Sequence, residues 1–294
     1  MNRFDKVMIA ANFDHAATCY DQHAVLQKLI AERLITRLDL VTVRPEQIID
    51  IGSGTGTSSR LLAGRYRNAR VIQFDLSQMM LRKSRRKFPW FFSRQHYLCG
   101  DAEYLPIATG VIDMVFSSLT FQWCNDLDLA FAETRRILKP NGLFIFATLG
   151  PDTLKELRAS WAAADTATHV NTFFDMHDVG DALVRTGMEN VVMDMESVTM
   201  TYSDCTDLMR DLKNLGSRNV NLDRQKGLTG KGKLKQMTVA YEKYRQGEKL
   251  PATYEVVYGH AWAPLHGRSE KSGRVAYIPV ESLRTHKQVK QHRI

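Results

Sequence analysis

The sequence predicts an α/β fold, a parallel sheet covered by helices on both faces. Three observations carry that prediction. Short apolar runs alternate with stretches of helical periodicity between residues 45 and 150. A glycine-rich turn, Gly52-Ser53-Gly54-Thr55-Gly56, directly follows the first apolar run. Glycine and proline fall where those helical stretches should stop, as at Lys139-Pro140-Asn141-Gly142.

The elements follow in order. Over 16–40, Leu26, Leu29, Ile30, Leu34 and Leu38 recur at helical spacing, so one face is expected to be buried. A short strand is expected at 47–51 and a helix at 55–66. Strands at 71–74 and 97–99 flank a basic helix over 77–87, which Pro89 ends. A fourth strand at 111–117, a helix at 126–138 and a fifth strand at 143–149 complete the βαβαβ rhythm of a parallel sheet.

The second half is less regular. Helices are expected at 151–164 and 176–186, the latter capped by Gly187. The β-branched run 191–202 and residues 253–258 read as strands. Between them a polar, basic block, 203–250, reads as an insertion over the mouth of the sheet. It holds a helix at 206–215 ending in Gly216 and a glycine-rich stretch, GLTGKGKLK, that leads into a helix at 234–245. The expected organisation is one domain over 1–264, with an N-terminal helical cover at 15–44, a cofactor-binding half at 45–150 and the insertion at 203–250. A basic, mobile tail is expected over 265–294.

Composition narrows the class. The 294 residues are 44% apolar, ordinary for a globular chain. No apolar run approaches the roughly 18 residues of a membrane span, and the N-terminus is a poor signal peptide. Four scattered cysteines (Cys19, Cys99, Cys124, Cys205) form no Cys-x-x-Cys pair, which argues against a metal site or disulfide framework and fits the cytoplasm. The formal charge of +8 is uneven: residues 60–94 hold ten Arg or Lys against one acid, Asp75. Such a face attracts acidic partners or simply solubilises the chain.

The glycine turn narrows the ligand class, and the motifs after it sharpen the choice. No Gly-Lys-Ser/Thr follows it, which excludes a P-loop, and Thr57 stands where a dinucleotide loop wants its third glycine. Asp75 ends the second strand 23 residues after Gly52, a spacing at which an acid accepts hydrogen bonds from ribose hydroxyls. Asp101, after the third strand, can accept from the adenine amine. Each acid alone is more often a helix cap. Together, after successive strands of one sheet, they fit adenosine joined to something other than a pyrophosphate.

IIDIGSGTG, VIQFDLS, GDAEYLP, VIDMVFSSLTFQW and RRILKPNGLFIFATLG occur in this order and resemble the successive motifs of S-adenosylmethionine-dependent methyltransferases. The resemblance implies a Rossmann-like seven-stranded sheet, mostly parallel with its last strand antiparallel, and a helical insertion over the active site. It implies S-adenosylmethionine as cofactor, with Gly52, Gly54 and Gly56 along its methionine part, Asp75 and Leu76 at the ribose, and Asp101 and Ala102 at the adenine. Ser117 to Leu119, after the fourth strand, would also line it.

Outside that region, NFDHAATCYDQHAVLQ, PDTLKELRASWAAAD, HVNTFFDMHDVG, LMRDLKNLG, GLTG and ATYEVVYGHAW are similar to the malonyl-acyl carrier protein O-methyltransferases of biotin synthesis, over nearly residues 3–264. One helix departs from that family's usual R-S-L-K-G-I-G-A: here the basic positions are kept but Asp211 and Asn214 differ. The resemblance implies a free carboxylate as methyl acceptor and malonyl-loaded acyl carrier protein as partner, with neither nucleic acid nor membrane. A carboxylate is ionised near neutral pH, so no general base is required. Arg210, then Lys213, one helical turn apart, are the expected carboxylate contacts, because a guanidinium pairs bidentately with a carboxylate. Tyr20 is expected at the cofactor or acceptor and Trp123 at the acceptor wall. Another small acceptor such as a quinone precursor, or a respiratory-complex assembly factor or hydroxylase on the same fold, is left open by the residues alone.

Overall fold

The computed structural model describes residues 3–88, 95–222 and 230–265. Seven strands form one sheet: β1 (Gln47–Ile51), β2 (Arg70–Asp75), β3 (Gln95–Cys99), β4 (Ile112–Ser118), β5 (Leu138–Leu149), β6 (Glu189–Tyr202) and β7 (Leu250–Trp262), in the order β3-β2-β1-β4-β5-β7-β6. The first five run parallel, and β7 is antiparallel to both β5 and β6. Strand order reverses between β1 and β4, the crevice where an open α/β sheet binds its ligand.

The helices are α1 (Lys6–Ala16), α2 (Tyr20–His23), α3 (Val25–Arg37), α4 (Thr57–Arg65), α5 (Gln78–Lys87), α6 (Leu127–Ile137), α7 (Lys155–Ala162), α8 (Met176–Arg185), α9 (Cys205–Asn214) and α10 (Lys231–Tyr241). Because side chains alternate across a strand, Ile48 of β1 packs on one side with Leu26, Ile30 and Leu34 of α3 and Leu62 of α4. Ile49 and Ile51 pack on the other with Phe131 of α6 and Leu183 of α8. There Phe121, Phe131, Phe144 and Phe146 form a buried aromatic cluster, with Phe144 and Phe146 stacked at 4.7 Å. No helix among the described residues is long and apolar enough to cross a membrane.

Four expectations need correction. The helical periodicity over 16–40 is not one helix: α2 and α3 are separate, broken at Ala24. A helix ahead of it, α1, was not expected; Asp5 caps it by accepting from the Met8 amide. Lys139 to Gly142 lies within β5, where Asn141 at φ 59° accompanies a jump in register from Ile112↔Leu138 to Met114↔Leu143. The helix expected at 151–164 starts only at Lys155, after Leu154 at φ 56°. Most of the glycine-rich stretch before α10, and the tail from residue 266, lie outside the described residues.

Candidate active site

The cleft opens at the carboxyl ends of β1, β2 and β4. In the glycine loop the conformations are left-handed, φ 74° at Gly52, 53° at Gly54 and 81° at Gly56, which only glycine adopts freely. The three have different jobs. A Cβ on Gly52 would stand 1.8 Å from Thr120 Oγ1. A Cβ on Gly54 would meet nothing within 4 Å, so this residue faces open space over the cleft. Gly56 does not line the cleft; a Cβ there would stand 2.0 Å from Ser84 Oγ, so its smallness seats α4 against α5.

Asp75 closes the loop. Its Oδ2 accepts from the Gly54 amide at 2.8 Å and its Oδ1 from the Ser77 amide at 2.8 Å. Burial, helped by Asp14, raises its pKa to about 6 despite those two bonds. Each oxygen keeps a lone pair for a ligand hydroxyl. Leu76, Asp101 and Ala102 continue the same wall. Asp101 Oδ1 is held by Lys6 Nζ at 2.9 Å and by the Glu103 amide at 3.1 Å, leaving its other oxygen to accept. The wall therefore offers two carboxylate acceptors, Asp75 and Asp101, and bare backbone at the glycines. Those groups fit the ribose, adenine amine and amino-acid part of S-adenosylmethionine.

The N-terminal helices cover this wall. Asp14 Oδ1 accepts from Ser77 Oγ at 2.6 Å and from the Met79 amide at 2.9 Å, docking α1 on the start of α5. Asp21 of α2 accepts from Thr55 Oγ1 at 2.5 Å in the glycine loop and pairs with Lys83 and Lys87 of α5. Burial alone would raise its pKa, but these partners hold it at about 2. Tyr20 lines the cleft, and burial together with Asp75 and Asp21 holds its hydroxyl far above the ordinary range, so it stays neutral. Trp123 also lines the cleft and meets Phe4 and Phe13 edge-on, so it joins the N-terminal cover to the β4 loop. Leu119, another lining residue, is held at φ 57°, strain of the kind that collects at binding sites. Ser117 is fully buried, donating to the Ile51 carbonyl, and Ser118 takes the lining position.

Away from the cofactor wall the same cleft is lined by Leu157, Val170, Phe173, Met200, Leu212, Leu215 and several polar groups. The whole encloses about 1510 Å³, its mouth to solvent included. Here α9 turns Leu208, Leu212 and Leu215 inward, and Asp211 with them. Asp211 accepts from Tyr202 at 2.9 Å and contacts His23 Nδ1 at 2.8 Å, while Asn214 lies 3.1 Å from His23 Nε2. The two residues that depart from the family pattern thus join α9 to α2. Arg210 and Lys213, the expected carboxylate contacts, lie on the opposite, exposed face; Arg210 pairs with Asp207 at 2.6 Å, and neither lines the cleft. The physical reason is the helical period, since the inward face repeats at 208, 212 and 215 and leaves 210 and 213 outside. Arg218, which the sequence reading did not single out, lines the cleft instead.

Sheet order, glycine loop and paired acids define a methyltransferase, and residues 49–146 match the Methyltransferase domain family. A chain of the complex between the Trm112 methyltransferase activator and a methyltransferase of Haloferax volcanii superposes with a TM-score of 0.57 over 88% of this chain and 99% of its own. At 18% identity that likeness shows the fold alone. The malonyl-[acyl-carrier protein] O-methyltransferase of Methylovorus sp. (strain MP688) is 49% identical, covering 88% of this chain and 90% of its own. That of Laribacter hongkongensis (strain HLHK9) is 50% identical over the same shares. The chain belongs to the malonyl-[acyl-carrier protein] O-methyltransferase family.

Proposed function

We propose that this chain transfers a methyl group from S-adenosylmethionine to the free carboxylate of malonyl-acyl carrier protein, giving the malonyl methyl ester that primes pimeloyl synthesis for biotin. The observation that carries the proposal is near-full-length identity of about half to relatives of that name, 49% and 50% over 88% of the chain. The divided cleft supports it, with an acid-and-glycine wall on one side and a partly apolar acceptor space on the other. When bound, S-adenosylmethionine would supply a methyl group already activated by its sulfonium sulfur.

What remains for the protein is alignment and exclusion of water. Asp75 and Asp101, which line the cleft, would hold the nucleoside end, and Gly52 and Gly54 would let the backbone come close. α1 and α2 cover the site, Asp21 tying the cover to the glycine loop. An ionised acceptor needs no proton removed. The histidines that line the cleft accord with this: His23 is engaged with Asp211 and Asn214, and His169 with Asp165 at 2.7 Å.

The partner is the acyl carrier protein, reached through basic surface. On α5, Lys83 and Lys87 are occupied by Asp21, which leaves Arg82, Arg85 and Arg86 exposed to an acidic partner. The reaction takes place in the cytoplasm, consistent with four free cysteines. The test is incubation with methyl-labelled cofactor and a panel of malonyl thioesters, quinone precursors and nucleic acids. Label in a base-labile ester on the malonyl acceptors alone is expected; label confined to another class overturns the reading.

A further inference from the structure

Among the described residues, the acceptor half of the cleft contains one charge with no partner, and we propose that this charge, the guanidinium of Arg218, selects the acceptor's free carboxylate. The inference rests on the carboxylate-methylation reading above and names the residue that enforces it.

The other charged side chains lining the cleft are already matched. Lys6 pairs with Asp101 and Glu103 at 2.9 and 3.1 Å. Asp75 is held by two backbone amides on the cofactor side. Asp211, which by itself would repel an incoming anion, is held between Tyr202 and His23. Arg218 has no side-chain hydrogen bond or ion pair among the described residues. An anion entering this space therefore meets one unspent cation.

Its placement is built into the backbone. Gly216, at φ 75°, reverses the chain after α9, with the Gly216 amide donating to Lys213 O at 3.1 Å and that of Ser217 to Leu212 O at 3.0 Å. This is why Arg218 lines the cleft while Arg210 and Lys213, on the helix itself, do not. A Cβ on Gly216 would stand 3.1 Å from Asn12 O, so the turn is pressed against α1. The next residue is pinned as well: Asn219 donates to Thr168 O at 2.5 Å and accepts from the Asn221 amide at 3.1 Å. The backbone on either side of Arg218 is fixed and its long side chain is left for a ligand.

The chemistry suits a nucleophilic carboxylate. A guanidinium engages one bidentately and rejects an acyl group that lacks it. Arg218 is exposed, so solvent screens the pair. Screening matters because an oxygen held in a fully buried ion pair is a poorer nucleophile. Arg218 is thus a specificity residue, and no proton transfer is assigned to it.

The experiment uses the full chain with Arg218→Gln and Arg218→Lys. Methyl transfer is measured to malonyl-coenzyme A and malonyl-acyl carrier protein, with the corresponding acetyl thioesters, which lack the carboxylate, as competitors. Arg218→Gln is expected to raise KM for both malonyl acceptors by about tenfold or more and to abolish the preference for malonyl over acetyl thioester. Its affinity for S-adenosylhomocysteine and its melting temperature should stay at wild-type values. Arg218→Lys should fall between, keeping charge but losing the bidentate fork. Wild-type transfer with KM within twofold in Arg218→Gln, and the preference intact, overturns the assignment alone. Absence of transfer to any malonyl thioester by the wild-type protein overturns the functional reading, and the assignment with it.

Discussion

Gly52→Ala tests whether the glycine loop is shaped by sterics as described. Two separate costs can be worked out. The residue sits at φ 74°, where a side chain costs about 1–2 kcal/mol. The new Cβ would also lie 1.8 Å from Thr120 Oγ1, 2.6 Å from its Cγ2 and 2.7 Å from its Cβ. Thr120 cannot simply rotate away, because its hydroxyl donates to the Ile51 carbonyl at 3.0 Å and losing that bond costs about 1 kcal/mol. Overpacking of this kind typically costs about 1–3 kcal/mol. The expected loss is therefore about 2–5 kcal/mol, a large share of the roughly 5–15 kcal/mol that stabilises a typical domain. Urea unfolding of wild type, Gly52→Ala, Thr120→Gly and the double variant separates the two costs. The double variant should recover the overpacking part and keep the dihedral part, and calorimetry with S-adenosylhomocysteine should show weakened binding in Gly52→Ala. Wild-type stability and affinity in Gly52→Ala would refute the reasoning, since no account of these contacts leaves room for that methyl.

In the proposed site Asp75 would accept the ribose hydroxyls best as the carboxylate, and its pKa is raised to about 6, so affinity for S-adenosylhomocysteine should fall about tenfold between pH 7 and pH 5. Asp75→Asn should bind more weakly with a flattened profile, and a pH-independent wild-type affinity measured by calorimetry would exclude the contact. For stability the sign is opposite: a buried acid with a raised pKa contributes fully below about pH 4, and that contribution is lost as pH rises through 6. Arg210→Ala and Lys213→Ala, on the exposed face of α9, should keep kcat/KM within about twofold, because isolated surface charges contribute little. A large loss in either would move the acceptor contact to that face. Charge reversal at Arg82, Arg85 and Arg86 should lower kcat/KM for carrier-bound substrate selectively and reduce its salt dependence; equal loss on malonyl-coenzyme A would leave α5 a solubilising helix.

What could be read along the chain was whatever rests on neighbouring residues. The alternation of apolar runs with helical periods placed the five parallel strands, because burial on both faces demands apolar residues at local spacings. The glycine turn, Asp75 and Asp101 could be placed for the same reason, since the turn follows β1, Asp75 ends β2 and Asp101 lies two residues past β3. Even there, sequence spacing could not say that Gly54 faces the cleft while Gly56 packs on Ser84, or that Ser118 rather than Ser117 lines it. Those distinctions depend on which neighbour each atom meets across the sheet.

Only the tertiary structure decided the cover and the acceptor half. Asp14 meets Ser77 across 63 positions, Lys6 meets Asp101 across 95, and His23 meets Asp211 across 188. No periodicity records such pairs, because their partners are chosen by where helices dock. For α9 the sequence showed two cations one turn apart, yet the helix orients with Leu208 and Leu215 buried and Leu212 half-buried. Burial on that face outweighs the preference of two solvated charges, so the cations face water. Arg218, which does line the cleft, comes from the turn after Gly216, where a positive φ redirects the chain. A sequence can mark where such a turn occurs, but the direction it points is set by the packing of the helices around it.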